Sequence, residues 1–165
     1  MKPHVLYYLL AAVMLMGFYS CKKGKSEKID TSLVGVWVNE SAYSGNLIIR
    51  QTFQFSDDGT VGFTRVLVNK DTRAVLGYNY KSTAKFTFDG NTLKQYDMSV
   101  LSIDQTKIKP GDPYYTPLAD LIPYLNITSV STSTVSFNAD KTVFNFIYVC
   151  PLNADCIGLV LYTKQ

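Results

Sequence analysis

Histidine is almost missing. The only one, His4, stands at the extreme N-terminus, so no later residue can serve as a histidine base or ligand. That excludes Ser-His and Cys-His catalysis from the folded part, and histidine-based metal sites with them. Gly-x-Ser-x-Gly, a phosphate loop and a dinucleotide fingerprint are also absent. The adjacent carboxylates Asp57 and Asp58 precede Gly59, a tight-turn signature rather than an acid-base pair. The expectation is therefore no enzyme, no cofactor and no metal. Cysteine is scarce, with only Cys21, Cys150 and Cys156. Long apolar runs are lacking too. The run Val5–Gly17 has 13 residues, short of the ~20 that a spanning helix needs. Net charge is missing where it would matter. The formal +3 comes from Lys2, Lys22, Lys23, Lys25 and Lys28 against Glu27 and Asp30, and residues 31–165 hold 11 basic and 11 acidic side chains. A neutral domain has no electrostatic footprint for nucleic acid.

What is present begins with a leader. Lys2, the apolar run and Ser20-Cys21 resemble a bacterial lipoprotein signal, with residues 1–20 removed and Cys21 lipidated. The resemblance implies a bacterial envelope protein held on a membrane through its lipid, the outer membrane being expected. Residues 22–30 (KKGKSEKID) are charged and aperiodic, which is the composition of a tether. Its basic start at Lys22, Lys23 and Lys25 differs from the acidic surface-export signals of Bacteroidetes-type lipoproteins and favours the periplasmic face. The expected division is leader 1–20, lipidated Cys and tether 21–31, and one domain over 32–165. Cys150 and Cys156 flank Pro-Leu-Asn-Ala-Asp at the facing ends of two apolar runs. In an oxidising compartment they are expected to form a disulfide clasp, stabilising by roughly 2 kcal/mol.

The domain reads as strands. Leu33–Val38 is apolar and β-branched and holds the only Trp, Trp37, two residues after Gly35 and on the same face. A glycine there leaves room for a bulky side chain to approach. Leu47–Phe55 alternates, with Ile49, Gln51, Phe53 and Phe55 on one face. Thr60–Asn69 follows as its hairpin partner and places Val61, Phe63, Arg65 and Leu67 together. Tyr78–Phe88 has the cleanest period, with Tyr78, Tyr80, Ser82, Ala84, Phe86 and Phe88 facing one way. Thr92–Ile103 slips phase after Val100, which predicts a bulge. Residues 106–125 contain Pro110, Pro113, Pro117 and Pro123 with Tyr114, Tyr115 and Tyr124. They read as a long connection, either a binding loop or a packed crossing of one barrel end, with a helical turn near Leu118–Ile122. Ile127–Phe137, kinked between Val130 and Val135, then Val143–Cys150 and Ile157–Tyr162 complete about eight strands.

Eight antiparallel strands in chain order predict an all-β, up-and-down barrel able to hold one small ligand. Gly35-x-Trp37, Phe53-x-Phe55 with Asp58-Gly59-Thr60, the Phe86–Leu93 hairpin and the Ile127/Val130/Val135 spacing, in that order, resemble small lipocalin-like lipoproteins of Bacteroidetes. In that family the Trp plugs the closed end beneath a basic residue of the last strand. No counterpart is expected here, because Lys164 lies so close to the terminus and Arg65 is on another strand. The rival fold is an immunoglobulin-like sandwich, whose core Trp belongs to a middle strand.

Two functions follow from these readings. In the first, a monomer binds a small apolar ligand inside the barrel against Trp37, Phe53, Phe63, Tyr78, Tyr80 and Phe86, with Gln51 and Arg65 as polar contacts. The same aromatics can instead simply fill the core. In the second, a solid barrel meets a protein or glycan through Tyr114, Tyr115 and Tyr124.

Overall fold

The structure is a computed structural model that describes residues 30–109, 114–148 and 159–165. Cys21, Cys150, Cys156 and the leader lie outside the described residues. Among the described residues nine strands follow one another: β1 (Gly35–Ser44), β2 (Leu47–Phe55), β3 (Thr60–Asn69), β4 (Val75–Phe88), β5 (Thr92–Ser102), β6 (Ile122–Ile127), β7 (Ser131–Phe137), β8 (Val143–Tyr148) and β9 (Val160–Lys164). Consecutive strands from β1 to β5 pair antiparallel. β5 then pairs with β7 over Thr92–Gln95 and with β6 over Met98–Ser102. β7 pairs with β8, β8 with β9, and β9 returns to β1. β6 and β7 share one position in the wall, so the ring is a closed eight-stranded antiparallel barrel. Its continuous closure is incompatible with a sandwich.

Turn chemistry sets the hairpins. The Asp58 carboxylate accepts from the Thr60 amide at 2.9 Å and its hydroxyl at 2.6 Å. Asp89 accepts from the amides of Thr92 at 2.7 Å and Asn91 at 3.1 Å. These bonds, to the Thr60 hydroxyl and to the Thr92 amide first, hold both carboxyls below the ordinary aspartate range. Asp57 and Asp58 are thus turn residues, as their place before Gly59 predicts. β5 carries a bulge, but at Asp97 and not after Val100: Thr83 opposes Ser99 while Lys85 opposes Tyr96, and Asp97 takes a φ of 52° to absorb the extra residue.

One end of the barrel is closed by Trp37, which is 0% exposed. Its indole Nε1 donates to the Leu33 carbonyl at 2.7 Å, across the 3-10 turn Thr31–Leu33. Its ring meets Phe144 edge-on at 4.8 Å. Lys164 of the last strand lies over it, Nζ 5.1 Å from the ring centroid. The basic residue over the tryptophan is therefore present, contrary to the sequence expectation. β9 ends at Lys164, and Trp37 pairs with it directly in register, so nearness to the terminus is no obstacle. The space beside Gly35 is what admits it. A Cβ there would stand 3.0 Å from Lys164 Cε, and the Gly35 φ of +129° suits glycine alone.

Four further features differ from the sequence reading. β1 continues six residues past Val38, its polar stretch held in register with β2. Residues 122–125 belong to strand β6. Pro123 is tolerated because β6 ladders with β5 alone among the described residues, and an edge strand has no need of every amide. The break between β6 and β7 falls at 128–130, ahead of the predicted kink. Tyr78 does not share the inner face with Tyr80: Arg65 opposes Tyr80 while Val66 opposes Tyr78, so Asn79 is an extra residue. The bulge turns Tyr78 to a second cluster with Ile48, Val66 and Val68.

On the outward phase of β1 and β2, Glu40 bonds Arg50 at 2.7 Å and also Arg73. Hydrogen bonds from Arg73 first, then Arg50, hold the Glu40 carboxyl below its ordinary 4.5. A depressed carboxylate contributes stability that is present above its unfolded value and lost as pH falls through the folded one. Urea titrations from pH 7 to 3 are expected to show stability falling less steeply below about pH 4.5 in Glu40→Gln than in the parent, because the variant has no carboxylate there to protonate. Identical slopes would dissociate the ion cluster from acid sensitivity.

Candidate functional site

The inner face divides into a packed half and a polar half. In the half nearer Trp37, aromatic rings fill the lumen. Phe53 touches Phe63 at 4.6 Å, Tyr162 at 5.1 Å and Phe146 at 5.6 Å, and Phe55 meets Phe86 edge-on at 5.0 Å. Ala84 and Ser82, the small pair between aromatics, are buried beside this cluster. Their small side chains leave room for the bulky rings around them. Trp37, Phe53 and Phe86 are therefore core residues, buried away from the mouth.

Beyond these rings the inward side chains become polar and half-buried. Gln51, Arg65 and Tyr80 stand side by side on β2, β3 and β4, since Gln51 opposes Arg65 and Arg65 opposes Tyr80. The Tyr162 hydroxyl donates to Gln51 Oε1 at 2.7 Å, which forms a floor between the packed half and the open one. The Tyr80 ring rests edge-on against Phe63 at 5.8 Å. Burial raises its phenol above the ordinary value, opposed by a hydrogen bond with Ser82. Arg65 makes no ion pair and no hydrogen bond among the described residues. Among the described carboxylates, Glu40 is committed to Arg50 and Arg73, Asp97 to Lys85, and Asp71 to Asn46.

The long connection completes the mouth. The Tyr78 amide donates to the Thr116 carbonyl at 2.7 Å, and the Thr116 amide returns a bond to Tyr78 at 2.9 Å. Asn79 Nδ2 donates to the Tyr114 carbonyl at 2.9 Å. These three bonds staple residues 114–116 to β4. The Tyr115 ring then occupies the place a side chain would take at position 77: a Cβ on Gly77 would lie 2.5 Å from Tyr115 Cδ2. The resulting cavity of about 50 Å³ lies between Tyr43, Ile49, Arg65, Leu67, Tyr114 and Tyr115. Of the two roles foreseen for the connection, this part fits the packed crossing of one barrel end. The predicted turn is present as a 3-10 turn at Leu118–Asp120.

Of the residues singled out from the sequence, the structure brings Gln51, Phe63, Arg65, Tyr80, Tyr114 and Tyr115 to this mouth or its floor. Tyr78 points away, and Tyr124 is 67% exposed on β6, where an irregular step against β5 falls between its neighbours Pro123 and Leu125. Tyr43, Asn79 and Gly77 went unrecognised. Tyr43 was within reach, since it continues the alternation that starts at Trp37. Asn79 and Gly77 depend on the bulge and on the distant Tyr115, for which the local sequence has no signal.

A second, open groove of about 600 Å³ runs along the connection, lined by Ile103, Ile108, Leu121, Asp104 and Asp120. Asp104 already accepts from the Thr106 hydroxyl at 2.6 Å and pairs with Lys107 at 3.3 Å. Among the described residues there is no cluster of His, Cys, Asp and Glu able to hold a metal ion, and no helix long and apolar enough to cross a membrane. No family model matches the chain, and neither the curated proteins nor the solved structures contain a significant match.

Proposed function

We propose that this chain is a lipid-anchored, lipocalin-like envelope protein, related in kind to small Bacteroidetes lipoproteins, that binds a small, largely apolar ligand at the barrel mouth. One observation carries the reading. In a closed barrel whose other half is filled by rings, the inner face around Gln51, Arg65 and Tyr80 stays polar and half-buried. A few placed polar groups within apolar walls make a binding pocket. The sequence supports the rest: Cys21 as the lipidated residue, a Cys150–Cys156 clasp, the periplasmic face of the outer membrane, and no catalysis, cofactor or nucleic acid; the protein is proposed to act as a monomer. The ligand rests higher than the sequence suggested, above Phe53 and Phe63 and not against Trp37.

The test is a titration of residues 22–165 with N-phenyl-1-naphthylamine, a neutral apolar dye, following the dye's own emission because Trp37 lies beneath the floor. Saturable one-to-one binding, abolished by Ile49→Trp at the mouth with folding intact, is the expected result. A folded protein that binds no dye would favour the second reading. In that reading Tyr114, 55% exposed, Tyr124 and the adjoining groove meet a protein or glycan, and the search moves to partners of residues 106–125.

A further inference from the structure

We infer that the ligand is a short carboxylate whose head pairs with Arg65. The inference rests on the mouth being a binding site and goes on to name what the site selects. Arg65 lies half-buried on the inward phase of β3, between Phe63 and Leu67, where its guanidinium loses part of its water and gains from a charged partner. None is supplied among the described residues: the carboxylates of Glu40, Asp71, Asp97 and Asp104 are engaged by other groups. A guanidinium is built for carboxylate, because its planar fork matches the two oxygens. The surroundings suit a flat or apolar body attached to that head. Tyr43 and Tyr114 frame the opening, and Ile49 and Leu67 line the wall.

Length is limited by what lies below. One water needs roughly 10–15 Å³ of such space, so a cavity of about 50 Å³ admits a carboxylate head and little more. The Tyr162–Gln51 hydrogen bond and the ring of Phe53 block the way towards Trp37. A long acyl chain has no channel to enter. The body of the ligand instead lies outward, between the tyrosines. The wall belongs to the fold itself, since residues 114–116 are bonded to β4 through three hydrogen bonds.

The experiment uses the full chain in lipid nanodiscs, with empty nanodiscs subtracted, and compares three probes by ligand-observed NMR: 3-phenylpropionate, the neutral 3-phenylpropan-1-ol and 6-phenylhexanoate. A charged hydrogen-bonded pair predicts phenylpropionate binding roughly 10- to 100-fold tighter than the alcohol. In Arg65→Gln the acid is expected to fall to the alcohol's level, while Arg65→Lys keeps part of the preference. The near-ultraviolet signal of Trp37 reports folding in each variant. Three extra buried methylenes would tighten binding by roughly 50-fold if the lumen continued, and a gain under about threefold is expected here. Equal affinity for acid and alcohol, or a preference that survives Arg65→Gln, overturns the inference and leaves the pocket standing. A large gain for 6-phenylhexanoate overturns its length limit. If neither these probes nor the neutral naphthylamine dye bind the folded parent, the mouth is no binding site and the functional reading falls with it.

Discussion

Replacing Trp37 by alanine is expected to remove about 3–5 kcal/mol of stability. Domains of this size are stable by only ~5–15 kcal/mol, so the variant stands at or near the edge of unfolding. Three losses combine. The buried indole leaves a cavity at the closed end that Phe144 and Phe137, at 4.8 and 5.9 Å, cannot fill without abandoning Phe53 and Phe88. The Leu33 carbonyl loses its 2.7 Å donor inside the core, and Leu33 is itself 0% exposed. Lys164 loses the ring beneath it, a contact of about 0.5–2 kcal/mol. Trp37→Phe separates these effects, because it keeps most of the volume and gives up the donor. Its expected cost is roughly half that of alanine. Urea unfolding followed by far-ultraviolet circular dichroism reads all variants without needing the tryptophan. A cost below about 1.5 kcal/mol for Trp37→Ala would mean that the closed end is held by something other than this side chain.

The barrel was legible because alternation and turn chemistry are local signals. Phe53/Phe55, Phe63 and the Ser82–Phe88 series have period two, and Asp58-Gly59 and Asp89-Gly90 mark their turns. Local signals failed wherever one residue was added to a strand. Asn79 is such a residue, and it reverses the direction of Tyr78 without altering the pattern of the sequence around it. Pro123 concealed β6, since a proline inside an apparent strand argues against one unless the edge is free. Nearness to the terminus argues against a Lys164–Trp37 contact, but register is the stronger guide, and it sets the two residues opposite each other. The site was half legible. Arg65 and Gln51 announced themselves as polar residues on an apolar face. The cavity walls did not, because Tyr115 reaches Gly77 across 38 positions of sequence, and only the folded connection brings them together.

Gly77→Ala is expected to open the mouth while the closed end stays intact. The added Cβ would stand 2.5 Å from the Tyr115 ring and 3.1 to 3.2 Å from the backbone of Thr116. Neither neighbour can give cheaply. The ring is set between Gly77 and the cavity wall, and Thr116 is fixed by two backbone bonds to Tyr78. Overpacking of this kind costs about 1–3 kcal/mol. Detaching residues 114–116 relieves it by giving up three hydrogen bonds, each with a net value of about 1 kcal/mol, so strain and release are closely balanced. The release is local, because the connection meets water and the Trp37 end shares none of these contacts. Amide exchange at Tyr78 and Thr116 is therefore expected to accelerate at least tenfold, and protease cleavage near Tyr114 to appear, with the near-ultraviolet signal of Trp37 unchanged. Dye affinity at the mouth should weaken in step, since Tyr114 and Tyr115 form one side of the cavity. Uniform loss of protection across β1 to β9 would mean that the connection is part of the cooperative core; unchanged exchange at Tyr78 would mean that the Tyr115 ring moves aside freely.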